Sequence, residues 1–301
     1  MTFGRVILGD NQFLGINHAS LSKAEELQDR FAAADAILQV IGWAYDAGIR
    51  DFMFTTHDRL RAPLREIVRS RLFPGLGFLP CLPYAHKYAN SLSEGGVPGV
   101  VRDHFLGNAP KGGLLASAGR FALGDFDASI QLLVEVELLM TAGLNVRGVF
   151  LQNLVFDLLL GLQANRLLER YHRYVSDRLQ AVPGYITMNH PSAQRALCDE
   201  IGMTSPWICA NFNAAGFRIN PSHSEVEASF ANGKSKNIAM SVLASGILSP
   251  RAAIEYVRDF HGVDSIVFGS GRRQNIEANV ALFGSQNLPP GAVDGQIKRV
   301  Y

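Results

Sequence analysis

The pair His57-Asp58 follows the apolar run 52–56, and Tyr84, His86 and Lys87 follow the run 76–82. With Asp10, which ends the run 5–10, they offer imidazole, carboxylate, phenol and ammonium groups, the set that exchanges protons with a substrate. Asn11, Gln12, Gln152, Asn153, Asn189, Asn211 and Asn213 stand in or after runs of the same kind and are amides able to orient a polar ligand. Near the other end, Ser270, Gly271, Arg272 and Arg273 lie between an apolar run and a helical stretch. Free backbone N–H groups and the positive end of a helix dipole favour an anion there, Gly271 admits close backbone approach, and an arginine adds charge.

Each group also has a purely structural use. His57-Asp58 fits a hydrogen-bonded turn, and His190 before Pro191 fits a helix start whose ring only packs. Asparagines commonly cap helices and close turns, and His86 and Lys87 in a long loop fit plain solvation. His57, His86, His190 and Asp10 would suit a metal if they met, but no H-x-H or H-E-x-x-H spacing supports it, so no metal is assigned.

These groups converge only if the chain places the ends of its apolar runs side by side. The runs are 5–10, 52–56, 76–82, 149–153, 185–189, 207–211, 238–243 and 265–269, and stretches of helical periodicity separate them. Such alternation is the pattern of buried parallel strands covered by helices, and eight runs predict an α/β fold, a single-domain (β/α)8 TIM barrel. The expected helices include 31–47, ending at Gly48 as a left-handed cap, 189–201 opened by Asn189, and 249–260 opened by Ser249 and Pro250. A ninth apolar run, 113–118, falls in a long loop or insertion at about 84–126, because 127–142 reads as the helix before the fourth strand. The stretch at about 216–236 reads as a polar loop. Barrels carry their chemistry at the C-terminal ends of the strands, where the groups above lie.

Composition narrows the partners. Apolar residues are 48% of the 301-residue chain and charged ones 18%, enough for a large core. A net charge of +1 with no basic run argues against nucleic acid or an anionic membrane, leaving a small-molecule substrate, with the oligomeric state open. Cys81, Cys198 and Cys209 are odd in number and scattered, which fits a reducing, cytoplasmic setting, and neither a signal peptide nor a membrane span is legible.

The segment 238–283 carries a family resemblance. A small-residue L-A-S-G-I-L turn at 243–248 precedes an Ala-rich helix, and the strand V-D-S-I-V-F-G-S at 263–270 enters a helix containing N-I-E-A-N at 275–279. This resembles the last two βα units of the aldo-keto reductases. The resemblance implies NADP(H) held after the last strand, with Ser270 on a phosphate, Asn279 on the adenine and Arg272 or Arg273 replacing the family's basic residue, which is Asn275 here. It also implies a nicotinamide pocket with Asn189 as an amide contact, Asn211 for a Gln, and Met240 for the stacking Tyr.

The family's catalytic positions depart from its pattern. In F-T-T-H-D-R at 54–59, Phe54 stands for the Asp and Arg59 for the Tyr of D-T-A-x-x-Y. The segment 80–83 has no Lys, and Gln152 and Asn153 stand where a His belongs. Tyr84, Lys87, His57 and Asp58 would have to rebuild a proton donor from other positions. Three readings stay open: a divergent NADP(H)-dependent oxidoreductase of a small polar carbonyl or hydroxyl compound; a non-redox isomerase, epimerase or lyase using His, Asp and Lys with a phosphate-binding loop; and a catalytically inactive ligand-binding barrel.

Overall fold

A computed structural model describes residues 2–16, 21–84, 127–258 and 260–284. Eight parallel strands close into a barrel in sequence order: β1 (Val6–Leu8), β2 (Asp51–Thr55), β3 (Gly77–Leu82), β4 (Gly148–Leu151), β5 (Val182–Thr187), β6 (Trp207–Asn211), β7 (Lys236–Met240) and β8 (Ser265–Phe268). The seam is closed by β1 on β8, with Ile7 opposite Val267 and Leu8 opposite Phe268.

Alternation along each strand builds two cores. Phe3, Ile7, Met53, Leu79, Cys81, Phe150, Ile186, Trp207, Cys209 and Ile238 fill the barrel, while their neighbours face the helices. Apolar runs with no polar alternation are what strands buried on both faces require. Phe150 occupies so much of the interior that its partner across the β4–β5 ladder must be Gly184, since a Cβ there would fall on the Phe150 ring.

The helices are α1 (Leu21–Arg30), α2 (Ala34–Asp46), α3 (Arg61–Ser70), α4 (Asp127–Leu138), α5 (Asn153–Gly161), α6 (Asn165–Arg173), α7 (His190–Gln194, continued by a wider π turn to Glu200), α8 (His223–Ala231), α9 (Pro250–Arg258) and α10 (Arg273–Gly284). The expected caps are in place. Gly48 takes φ +98° just past α2, Asn189 Oδ1 accepts from Ser192 N at α7, and Ser249 Oγ accepts from Ala252 N at α9.

Two expectations need correction. The stretch 216–236 is not simply a loop, because it contains α8. Ser222 accepts from the Glu225 amide and donates to its carboxylate, a capping arrangement that starts a helix burying Val226 and Phe230. A separate helix, α1, also stands between β1 and α2. The run 113–118 and most of the 84–126 insertion lie outside the described residues. Among the described residues no helix is long and apolar enough to cross a membrane.

The N-terminal end of the barrel is tied by a buried ion pair. Asp51 accepts from Arg147 at 2.6 Å and from the Gly4 amide at 2.7 Å, and Arg147 reaches on to Thr2 O at 2.6 Å. A side chain at Gly77 would fall on both Arg147 Cδ and Asp51 Oδ1, so glycine at the start of β3 makes room for the pair.

Candidate active site

At the C-terminal end of the barrel, three strand ends are linked by one polar chain. Asp10, just past β1, accepts from the Thr55 backbone N–H at 2.7 Å and is also bonded by the Thr55 hydroxyl. Thr55 Oγ1 in turn lies 3.5 Å from Gln152 Nε2, the long limit of a hydrogen bond. Gln152 is the residue after β4 at the position where the family resemblance expects His. Burial raises the Asp10 carboxyl to about 6, more than the Thr55 bonds can lower it. Cys81 lies close enough to Asp10 for its charge to reinforce the burial that pushes the thiol up, and Cys209 is pushed up to about 12, so neither supplies a thiolate.

Strand register explains the departure at β2. Phe54 belongs to the helix-facing core, 5.1 Å from the Phe52 ring and 6.4 Å from Phe78, so an acid there would not reach the mouth. Thr55 is the residue of β2 turned to the mouth. Thr56 donates to Glu137 of α4, a carboxylate only 1% exposed. Thr55 and Glu137 are polar residues that no sequence motif marks.

Of the candidates after β2 and β3, His57 and Tyr84 come together, with ring centroids 4.7 Å apart. His57 Nδ1 accepts from the Arg59 amide at 3.0 Å, and burial lowers its pKa against the opposing pull of Asp58. Asp58 turns away: it pairs with Arg61 at 2.7 Å and its side chain is 66% exposed. Arg59, at the family's Tyr position, donates to Phe13 O at 2.9 Å and ties the loop to the end of β1. His86 and Lys87 lie outside the described residues.

The β5 and β6 amides are held by the backbone. Asn189 caps α7, and Asn211 Nδ2 donates to Arg218 O at 3.0 Å and touches Met188 Sδ at 3.5 Å. Beside them a polar cleft of about 440 Å³ includes Asp157, Met188, Asn189, Ser192 and Arg195 in its walls. Asp157 accepts from the Thr187 hydroxyl at 2.5 Å and the Met188 amide at 3.0 Å, fixing the end of β5. His190 is packed inside the fold: it is 1% exposed, bonded to Ser229 and Asn237 at 2.8 Å each, and burial lowers it to about 4. Among the described residues no three His, Cys, Asp or Glu side chains gather as a metal site.

After β8 the loop 269–272 leads into α10. Ser270 Oγ accepts from the Arg272 amide at 3.3 Å, and Arg273 pairs with Glu277 at 2.7 Å. Arg272 has no ion pair among the described residues. Asn279 is 3% exposed on α10. Gln12, 5% exposed, donates to Gly9 O at 2.8 Å, while its Oε1 has no hydrogen-bond partner among the described residues. A Cβ at Gly269 would fall on that oxygen.

No protein-family model and no curated protein matches the chain. Solved structures do. A protein assigned as an aldo-keto reductase from Pseudomonas aeruginosa superposes with TM-score 0.58 at 15% identity, covering 93% of this chain and 90% of that one. A protein assigned as a 2,5-diketo-D-gluconic acid reductase B gives TM-score 0.57 at 10% identity, covering 93% and 82%. An aldo-keto reductase from a Medee basin deep-sea metagenome library gives 0.56 at 11%, covering 96% and 89%. At these identities the shared property is the fold: like these proteins, the chain is a (β/α)8 barrel.

Proposed function

We propose that the chain is a divergent aldo-keto reductase-like oxidoreductase that reduces a small polar carbonyl with NADP(H). The observation that carries the reading is Asp10: a carboxyl at the mouth of this fold, raised to about 6 by burial and held by Thr55. Reduction of a carbonyl needs a proton donor beside the oxygen, and a group with pKa near 6 serves close to neutral pH.

The residues after β8 suit the phosphates of such a cofactor. Ser270, the N-terminus of α10 and Arg272, which has no ion pair among the described residues, form a donor set, beside which Arg273 is held by Glu277 and lies within reach of the Asp46 charge. Asn189 spends its Oδ1 on the Ser192 amide and keeps its Nδ2 as a donor for a carboxamide. When bound, the nicotinamide would supply the hydride. The chain's own residues would do the rest: Thr55 and Gln152 orient the Asp10 carboxyl, Asp10 passes a proton to the carbonyl oxygen, and His57 against Tyr84 walls the mouth. The family's own tetrad takes no part, since Phe54 faces the helices and Arg59 is spent on Phe13 O.

Fluorescence titration with NADPH and NADH tests the reading. Micromolar NADPH binding supports it, and no binding of either at millimolar concentration removes it.

A further inference from the structure

The unit β1–α2 would be complete without α1, yet the last residue of α1 reaches across the barrel seam. Arg30 Nη2 donates to Gly271 O at 2.5 Å, joining positions 241 residues apart. The guanidinium carbon lies 5.1 Å from the Phe31 ring centroid, and Phe31 is fully buried edge-on to Phe13 at 5.2 Å. Glycine at 271 is what permits this approach: a Cβ there would meet Phe31 Cζ at 3.0 Å and Arg30 Nη1 at 3.5 Å. Among the described residues neither Arg30 nor Arg272 has a carboxylate partner. Two uncompensated guanidinium groups therefore flank the N-terminus of the twelve-residue α10.

A second observation lies beside the same seam. Gln12 Oε1 is a buried acceptor with no donor among the described residues, packed on Gly269, and such an atom costs about 1–3 kcal/mol unless something donates to it. A ligand hydroxyl approaching past the C-terminal ends of β1 and β8 would relieve that cost. Anion-binding groups near an acceptor that has no donor among the described residues fit a phosphate carried on a polyol.

We infer that Arg30, supplied by the helix inserted after β1, is a ligand for a ribose phosphate at the β8–α10 loop, with Gln12 accepting from a hydroxyl of the same molecule. This rests on the dinucleotide reading above and adds to it: discrimination for the 2′-phosphate comes partly from the N-terminal region of the chain. Arginine suits the role because its fork can give one N–H to Gly271 O and keep others for phosphate oxygens.

Calorimetric titration of the full chain with 2′,5′-ADP, NADPH and NADH tests it. Arg30→Met is expected to weaken 2′,5′-ADP and NADPH by roughly tenfold or more, the worth of a charged hydrogen bond, while NADH stays within about twofold. Arg30→Lys should recover part of the loss, and Gly271→Ala, which crowds Phe31 and Arg30, should reproduce it. Unchanged 2′,5′-ADP binding in Arg30→Met overturns the inference. If Arg272→Ala loses NADPH and Arg30→Met does not, the cofactor reading stands and this one falls. If the wild type binds no dinucleotide, inorganic pyrophosphate decides: binding that depends on Arg30 upholds the anion site, and its absence overturns it.

Discussion

The Thr55 amide donates to Asp10 Oδ2 at 2.7 Å, so the last residue of β2 holds the carboxyl just past β1. That contact is too weak to offset the burial of the charge, and the acid is left near 6. A group kept at a cost in stability is where function is expected.

Asp10→Asn separates the two roles, since asparagine still accepts from the Thr55 amide but carries no charge. Asp10 has a folded pKa of about 6 against 3.8 for the free side chain, so its contribution to stability is full below 3.8 and is lost as pH rises through 6. At pH 7 the variant should be more stable by up to about 3 kcal/mol, and near pH 4 the difference should vanish. Urea denaturation at both pH values measures this, and equal stability at pH 7 would mean that the charge is not costly. Reductase activity should fall by about 10²-fold or more, and in the wild type it should decline as pH rises past 6.

His190 titrates with the opposite sign. Asn237 Nδ2 donates to Gly262 O at 2.8 Å and Phe230 O at 3.2 Å, which makes its Oδ1 the acceptor for the His190 Nε2 proton. Nδ1 lies 2.8 Å from Ser229 Oγ, whose single proton is also in reach of Val226 O at 2.9 Å. Burial favours the neutral ring and lowers its pKa to about 4, against the opposing pull of the Asn237 hydrogen bond. Its contribution is full above 6.5 and is lost as pH falls toward 4, up to about 3 kcal/mol. Between pH 4 and 6 it offsets the Asp10 gain, so Asp10→Asn should unmask acid lability and His190→Gln should flatten the acid limb. Parallel pH curves for wild type and His190→Gln would assign the proton elsewhere.

The barrel was legible because β-type runs and helical stretches alternate, and Asn189, Ser249 and Gly48 mark helix ends by chemistry that acts locally. The mouth was less legible. In a strand apolar on both faces nothing in F-T-T says whether Phe54 or Thr55 turns inward, and only the closed barrel decides it. Glu137 sits in a helix with no motif, and the reach of Arg30 to Gly271 depends on the β1–β8 seam. The α8 start did carry a local signal, Ser222 with Glu225, outweighed by the polarity around it.

Gly184 should be intolerant of any side chain. Its Cβ would occupy the Phe150 ring position, and Phe150 is enclosed by the barrel on every side, so the ring cannot swing away. Gly184→Ala is expected to cost about 1–3 kcal/mol or more, and Gly184→Ala with Phe150→Leu should recover part of it. Thermal melting of the single and double variants decides the point: a double variant no more stable than the single would place the strain somewhere other than this contact.

The Asp51–Arg147 pair closes the opposite end, and its worth depends on which partner is removed. Asp51 is fully buried, whereas the Arg147 side chain keeps 26% exposure and can reach water. Arg147→Met leaves a buried carboxylate with only the Gly4 amide at 2.7 Å, and breaking a buried pair in this way typically costs about 3–5 kcal/mol. Asp51→Asn keeps an acceptor for Gly4 and leaves the more solvated cation, so it should cost less. A double-mutant cycle by urea denaturation measures the coupling, expected above about 1 kcal/mol for groups in contact. Additive losses would mean that Asp51 is held chiefly by the Gly4 amide, and that Gly77 makes room for a pair with little energetic weight.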